Sequence, residues 1–228
     1  MLKPAGGWGT LALIWGHDRD LITRVPTRRV RKVREEHSKV ARILTENECS
    51  LLLSTANEMA ANSKAMKIFS LAFQFLLNTG LRSGELRSLT WDDVDVNSGL
   101  IHIRAKPGWT PKTYARSFYL NSVSLAIIRG LEKTGLFVFV SPTGKQLAKD
   151  DLRNALIRTT NKAGIAGFTR VHDLRHTFSS QMQMKGVDPG TVATILGHKG
   201  LETTAIYTHQ TAEHLKASIE RVSTQGAT

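Results

Sequence analysis

KAMKIFSLAFQFLLNTG, residues 64–80, decides how this 228-residue chain must fold. Its apolar side chains, among them Ile68, Leu71, Phe73, Phe75 and Leu76, fall on nearly every face of a helix. Such a helix is stable only when other elements surround it. The stretch therefore reads as a central buried helix, ended by Gly80, a residue suited to the left-handed backbone of a helix terminus. On its N-terminal side, ILTENECSLLL (43–53) sets Thr45 and Glu48 at capping-box spacing ahead of an apolar helix, where a compact domain begins. On its C-terminal side, after a short helix, IHIRA (101–105) and YARSFYL (114–120) alternate as strands. Pro107, Gly108 and Pro111 lie between them, which predicts a hairpin. Helices over about 122–133 and 149–163 flank a short apolar FVFV run. The last third reads as helices, at 173–185, after Asp188 with Pro189 at the first position, and in shorter pieces toward 217. The fold class is mainly α with a small antiparallel β-sheet (α+β).

The composition, 41% hydrophobic and 22% charged, is that of a globular chain able to bury a core. No run approaches the roughly 18 apolar residues of a membrane span, and LALIWG (11–16) is too short for a signal-peptide core. Neither a bilayer nor export is indicated. The single cysteine, Cys49, permits no internal disulfide and no cysteine metal cluster, so a reducing, cytoplasmic setting is expected. A net charge of +12 favours a polyanionic partner, with nucleic acid first, over the plainer alternative of a merely basic protein. Residues 1–42 hold ten Lys or Arg against four acids and read as a basic arm or linker. Within it RRVRKVR offers Arg28, Arg29, Arg31, Lys32 and Arg34 as a phosphate-binding stripe, although a solvated charged strand has the same composition.

Three clusters carry residues suited to chemistry. In RVHDLRHTFSSQM (170–182), His172 and Arg175 lie one turn apart and can address a single ligand. Taken alone, the pair also reads as a structural histidine beside a surface arginine. A metal held by His172 and His176 is disfavoured, because no HExxH arrangement and no cysteine ligands accompany them. No metal and no cofactor are expected. In TGLRSGELRSLTWDDVD (79–95), Arg82 follows the helix-ending Gly80 and Glu85 stands one turn beyond. An arginine so oriented can present its planar fork to a phosphate, the alternative being an ordinary surface ion pair. Trp91 is assigned to packing. In ILGHKGLETTAIYTH (195–209), His198 adjoins Gly197 at a helix end and Tyr207 follows on a short helix. A lone tyrosine is more often a core or rim aromatic.

In order, the Arg of TGLRSGEL, the HxxR of HDLRH, the His of LGH and the Tyr of AIYTH resemble the active-site boxes of the tyrosine recombinases, the phage integrase family. The resemblance spans residues 43–217 and implies that family's catalytic-domain fold. It implies Arg82, His172, Arg175, His198 and Tyr207 as catalytic residues, with Glu85 supporting Arg82. The family also uses a hairpin lysine, for which Lys106 and Lys112 are candidates. Lys112 is preferred because it precedes Thr113 and lies shortly before SFYL, which is similar to the family's second-strand ending.

The implied chemistry is site-specific recombination through attack of Tyr207 on a phosphodiester, giving a 3′-phosphotyrosine and a free 5′-hydroxyl. Arg82 and Arg175 would hold the nonbridging oxygens, His172 would assist proton removal from the phenol or hydrogen-bond the phosphate, His198 would donate to the phosphate, and Lys112 would protonate the leaving oxygen. The covalent link conserves bond energy, consistent with the lack of a GxxxxGK[ST] phosphate loop. The resemblance further implies double-stranded DNA as partner, a homotetramer on that DNA, and a place at the nucleoid. Residues 43–228 would form the catalytic domain with a helical tail, packed on its own domain or on a neighbour, and 1–42 would be the remnant of a core-binding domain. Two alternatives are a type IB topoisomerase-like relaxing activity and a noncatalytic DNA-binding protein.

Overall fold

The computed structural model describes residues 8–24, 41–112, 114–197 and 212–224. The chain divides into two compact units, Met1–Val40 and Ala41–Thr228. The first contains helix α1 (Trp8–His17). The basic stripe from Arg28 to Arg34 lies outside the described residues.

In the second unit, α2 (Glu46–Ala61) starts at the predicted box: Thr45 accepts from the Glu48 amide, and the Glu48 carboxylate accepts from the Thr45 amide at 3.0 Å. Next comes α3 (Lys64–Thr79), the central helix, packed against α2, α5 (Ser122–Gly130), α6 (Lys149–Ala163) and α7 (His172–Met184). Phe73, Phe75, Phe118, Phe139, Phe168 and Phe178 are all fully buried around it. Each contributes on the order of 1.5–3 kcal/mol relative to an exposed side chain. Gly80 ends α3 with φ +62°, and a β-carbon there would come within 2.4 Å of Phe178 and 2.6 Å of Leu196. Only glycine lets α7 and α8 (Pro189–Leu196) approach this closely.

Helix α4 (Ser83–Arg87) follows at once, and then β1 (Val94–Asp95), β2 (Leu100–Ile103) and β3 (Arg116–Tyr119) form an antiparallel sheet in that order. Ile101 pairs with Phe118 and Ile103 with Arg116. Both hairpin strands are shorter than their alternation suggests. The chain leaves the ladder because Lys106 and Trp109 exchange backbone hydrogen bonds of 2.8 and 3.0 Å around Pro107 and Gly108 (φ +75°). The Lys106 ammonium also turns inward onto the Ser88 carbonyl at 2.6 Å and the buried Asp93 carboxylate. The apolar FVFV run makes isolated bridges instead of a strand, Phe137 to Thr90 and Val140 to Gln146.

The tail helix α9 (Ala212–Glu220) packs against β3 of its own domain. Ile219 and Val222 are buried, Glu220 accepts from the Ser122 amide at 2.8 Å to cap α5, and Asn78 bonds the Thr224 backbone at 2.8 and 2.9 Å. Among the described residues, no helix is long and apolar enough to cross a membrane.

Candidate active site

Arg82 stands at the junction between Gly80 and α4, its direction set from two sides. Its amide donates to Glu85 Oε2 at 2.9 Å, and its Nη1 meets Oε1 at 3.4 Å. This is no surface pair, because Glu85 is only 2% exposed. The stronger partner of Glu85 is Arg116, which donates Nη1 to Oε1 at 3.0 Å and Nη2 to Oε2 at 2.8 Å. Burial alone would raise the Glu85 carboxyl pKa, but the Arg116 hydrogen bonds and charge, then the Arg82 amide, hold it below the ordinary range. It is therefore an ionised buried carboxylate.

Arg175 joins three of the sequence boxes. From the second turn of α7 it donates Nη1 to the Gly80 carbonyl at 2.8 Å and Nη2 to the Leu196 carbonyl at 2.6 Å. Gly80 is two residues before Arg82, and Leu196 is two residues before His198. With 3% exposure, Arg175 is taken out of water, and burial first, then the Arg82 charge, lowers its pKa to about 9. It remains a cation at neutral pH. Two of its five N–H donors are used on these carbonyls, so three remain.

His172, at the first position of α7, shares a cleft of about 600 Å³ with Arg82, Arg87, Trp109, Lys112 and Lys149. Among the described residues Glu85 is the only acid in its lining, and four cationic side chains, Arg82, Arg87, Lys112 and Lys149, outnumber it. The His172 ring faces solvent on one side and is desolvated on the other. Burial first, then the charges of His176, Arg175 and Arg82, lowers its pKa to about 4 against an upward pull from Asp173. His172 is neutral at pH 7 and can accept a proton. His176 packs edge-on against it, the ring centroids 4.7 Å apart. Lys112 is exposed on the cleft wall, whereas Lys106 is committed to Asp93 and Ser88.

The site is therefore assembled from α4, the hairpin loop, α6 and α7, over a core stitched by buried guanidiniums. The model of the phage integrase family matches residues 42–214. The chain belongs to the phage integrase family. Among its relatives in that family, tyrosine recombinase XerC of Oceanobacillus iheyensis is 29% identical over 150 residues, 63% of this chain and 49% of the relative. Tyrosine recombinase XerA of Thermococcus kodakarensis is 31% identical over 181 residues, 78% of this chain and 61% of the relative. The chain thus spans about half to three fifths of the length of these curated relatives. In fold it is similar to the Tn1549 transposon integrase, solved in complex with a circular intermediate DNA. The TM-score is 0.62 at 22% identity, covering 93% of this chain and 76% of that one.

Of the integrase-type residues expected from sequence, Arg82, Glu85, Arg175, His172 and Lys112 lie around this one locus, as cleft lining or as buried contacts beside it. His198 and Tyr207 lie outside the described residues. Arg116 and Lys149 were not anticipated. Arg116 had a readable signal, since it shares the inward face of its strand with Phe118 and Leu120, and an inward arginine requires a buried counter-charge. Lys149 carried no comparable mark in a lysine-rich chain.

Proposed function

We propose that residues 43–228 are the catalytic domain of a site-specific recombinase that cleaves and rejoins double-stranded DNA through a 3′-phosphotyrosine, preceded by a basic arm or linker over 1–42. The observation that carries this reading is the pair of Arg175 hydrogen bonds. They tie the Arg82, HxxR and LGH boxes to one another beside a cationic cleft. Guanidiniums gathered at one place suit a phosphodiester whose charge grows in the transition state.

In the proposed reaction the Tyr207 oxygen attacks phosphorus and the 5′-oxygen leaves. Neutral His172 lines the cleft beside Arg82 and serves the phenol proton or the phosphate as a hydrogen-bonding group. Arg82 and Arg175 stabilise the nonbridging oxygens, His198 donates a further hydrogen bond, and Lys112 delivers a proton to the leaving oxygen. Reversal by a 5′-hydroxyl from a second duplex reseals the strand without ATP. Exchange between duplexes requires several copies, so the reading includes a homotetramer assembled on DNA. Arg28, Arg29, Arg31, Lys32 and Arg34 would contribute sequence-independent phosphate contacts. The activity belongs in the cytoplasm at the nucleoid, where its substrate lies. The XerC and XerA relatives are named tyrosine recombinases, which supports the reading.

The test is a nicked suicide duplex incubated with the full chain and resolved on a denaturing gel. A slow-migrating protein–DNA band in the parent, lost in Tyr207→Phe, is expected. Binding of duplexes without any such band would replace this reading with a noncatalytic DNA-binding protein.

A further inference from the structure

We infer that Arg116 is a positioning residue for this reaction: it occupies Glu85 so that the carboxylate does not capture the guanidinium of Arg82. The inference rests on the recombinase reading and concerns how one phosphate-holding group stays available. Arg116 is 7% exposed and does not line the cleft, so it is placed to act through its neighbours.

A carboxylate offers about four lone-pair directions. At Glu85, Arg116 donates at 3.0 and 2.8 Å and the Arg82 amide at 2.9 Å, whereas the Arg82 Nη1 stands at a longer 3.4 Å. Arg116 thus satisfies the charge of Glu85 bidentately, and Glu85 spends its remaining capacity on orienting the Arg82 backbone. Without Arg116, the buried carboxylate would lose its two shortest guanidinium contacts while the Arg82 guanidinium already touches it. In a low-dielectric setting the two would close into a fork-to-fork pair, and an incoming phosphate would have to break it.

The same side chain sets a second part of the site. Its Nε donates to the Ile195 carbonyl at 2.8 Å, in the last turn of α8. Gly197 then turns the chain with φ +66°, and a β-carbon there would stand 2.9 Å from Arg116 Cδ. Arg116 from the sheet and Arg175 from α7 therefore hold adjacent carbonyls, Ile195 and Leu196, just before His198.

The experiment compares Arg116→Met, the double variant Arg116→Met/Glu85→Gln and Arg116→Lys with the parent. Two readouts are used: the single-turnover rate of adduct formation on the suicide duplex, and the guanidinium NMR signals of Arg82 without DNA. Arg116→Met is expected to lower the rate by about 10²-fold, comparable to losing one transition-state donor, and the double variant to regain at least about 10-fold of it. The Arg82 guanidinium should show slowed rotation in Arg116→Met and parent-like rotation in the double variant. If Arg116→Met does not fold, Arg116→Lys carries the test, since an ammonium covers one oxygen: a smaller loss, relieved by adding Glu85→Gln, is expected. Equal rates with and without Glu85→Gln, or an unchanged Arg82 signal, would overturn the inference and leave Arg116 a packing residue. A parent that forms no adduct would defeat the recombinase reading, and the Arg82 signal would still decide the positioning role.

Discussion

Replacing Arg175 by methionine should separate stability from catalysis. Methionine fills much of the volume but removes the two hydrogen bonds to the Gly80 and Leu196 carbonyls, at 2.8 and 2.6 Å. Hydrogen bonds to a charged group contribute about 1.5–3 kcal/mol each, so their joint loss costs roughly 3–6 kcal/mol. Against this stands the penalty on the buried cation. A pKa lowered from 12.5 to about 9 corresponds to roughly 5 kcal/mol against the charged form, at about 1.4 kcal/mol per pH unit. The two nearly cancel. Urea or thermal unfolding of Arg175→Met should therefore lie within about 2 kcal/mol of the parent, a melting shift within about 8 °C. Adduct formation should fall by about 10²–10³-fold, the effect of removing one donor from a developing oxyanion. A variant that unfolds more than about 5 kcal/mol more easily would make Arg175 a structural keystone held at no net penalty. One that cleaves within about 10-fold of the parent would remove it from the phosphate site.

Two further outcomes follow from the hairpin and from α7. Lys112→Ala should lose cleavage of an ordinary duplex and recover on a substrate whose leaving oxygen is replaced by sulfur, which departs without a proton. Lys106→Ala should show no such recovery and should instead lower the unfolding free energy, because it leaves the buried carboxylate of Asp93 with Arg104 but without its second cation; recovery in both or neither would misassign the general acid. The His172 pKa is about 4 folded against 6.5 for a solvated imidazole. Between these the unfolded chain binds more protons, so the stability this ring supplies is complete above about pH 6.5 and is lost as pH falls toward 4. Solvent around the exposed ring edge limits its size. Parent and His172→Asn unfolding curves at pH 7 and pH 5 should diverge, with the parent losing more; parallel losses would contradict the depressed pKa.

The sequence pattern carried the architecture well wherever one physical rule dominated. The all-round apolar α3 could only be central, the Thr45–Glu48 box could only open a helix, and Asp188–Pro189 set the start of α8. The hairpin was legible but its extent was not, because the inward turn of Lys106 toward Asp93 depends on a carboxylate 13 residues away. Of the four boxes, whose spacing alone left each one ambiguous, the Arg82 and HxxR boxes meet at one locus, while His198 and Tyr207 lie outside the described residues. What sequence order could not convey is the pairing. Glu85 read as support for Arg82, its neighbour on the helix, yet both its oxygens are also bonded by the guanidinium of Arg116, 31 residues later. Likewise, Arg175 read as a phosphate ligand only, while it also holds two backbone carbonyls from other boxes. Such contacts are products of the assembled fold and leave no local periodicity.

The central claim concerns one covalent bond, and its chemistry can be read directly. Protein trapped on a nicked duplex should be digested with protease and nuclease and the nucleotide-bearing peptide sequenced by mass spectrometry, while the released strand is tested for labelling by polynucleotide kinase. The expected product is a nucleotide joined through its 3′-phosphate to the peptide that contains Tyr207, with a released 5′-hydroxyl that accepts label. A nucleotide carried on any other residue, or a 5′-phosphoryl linkage, would contradict it.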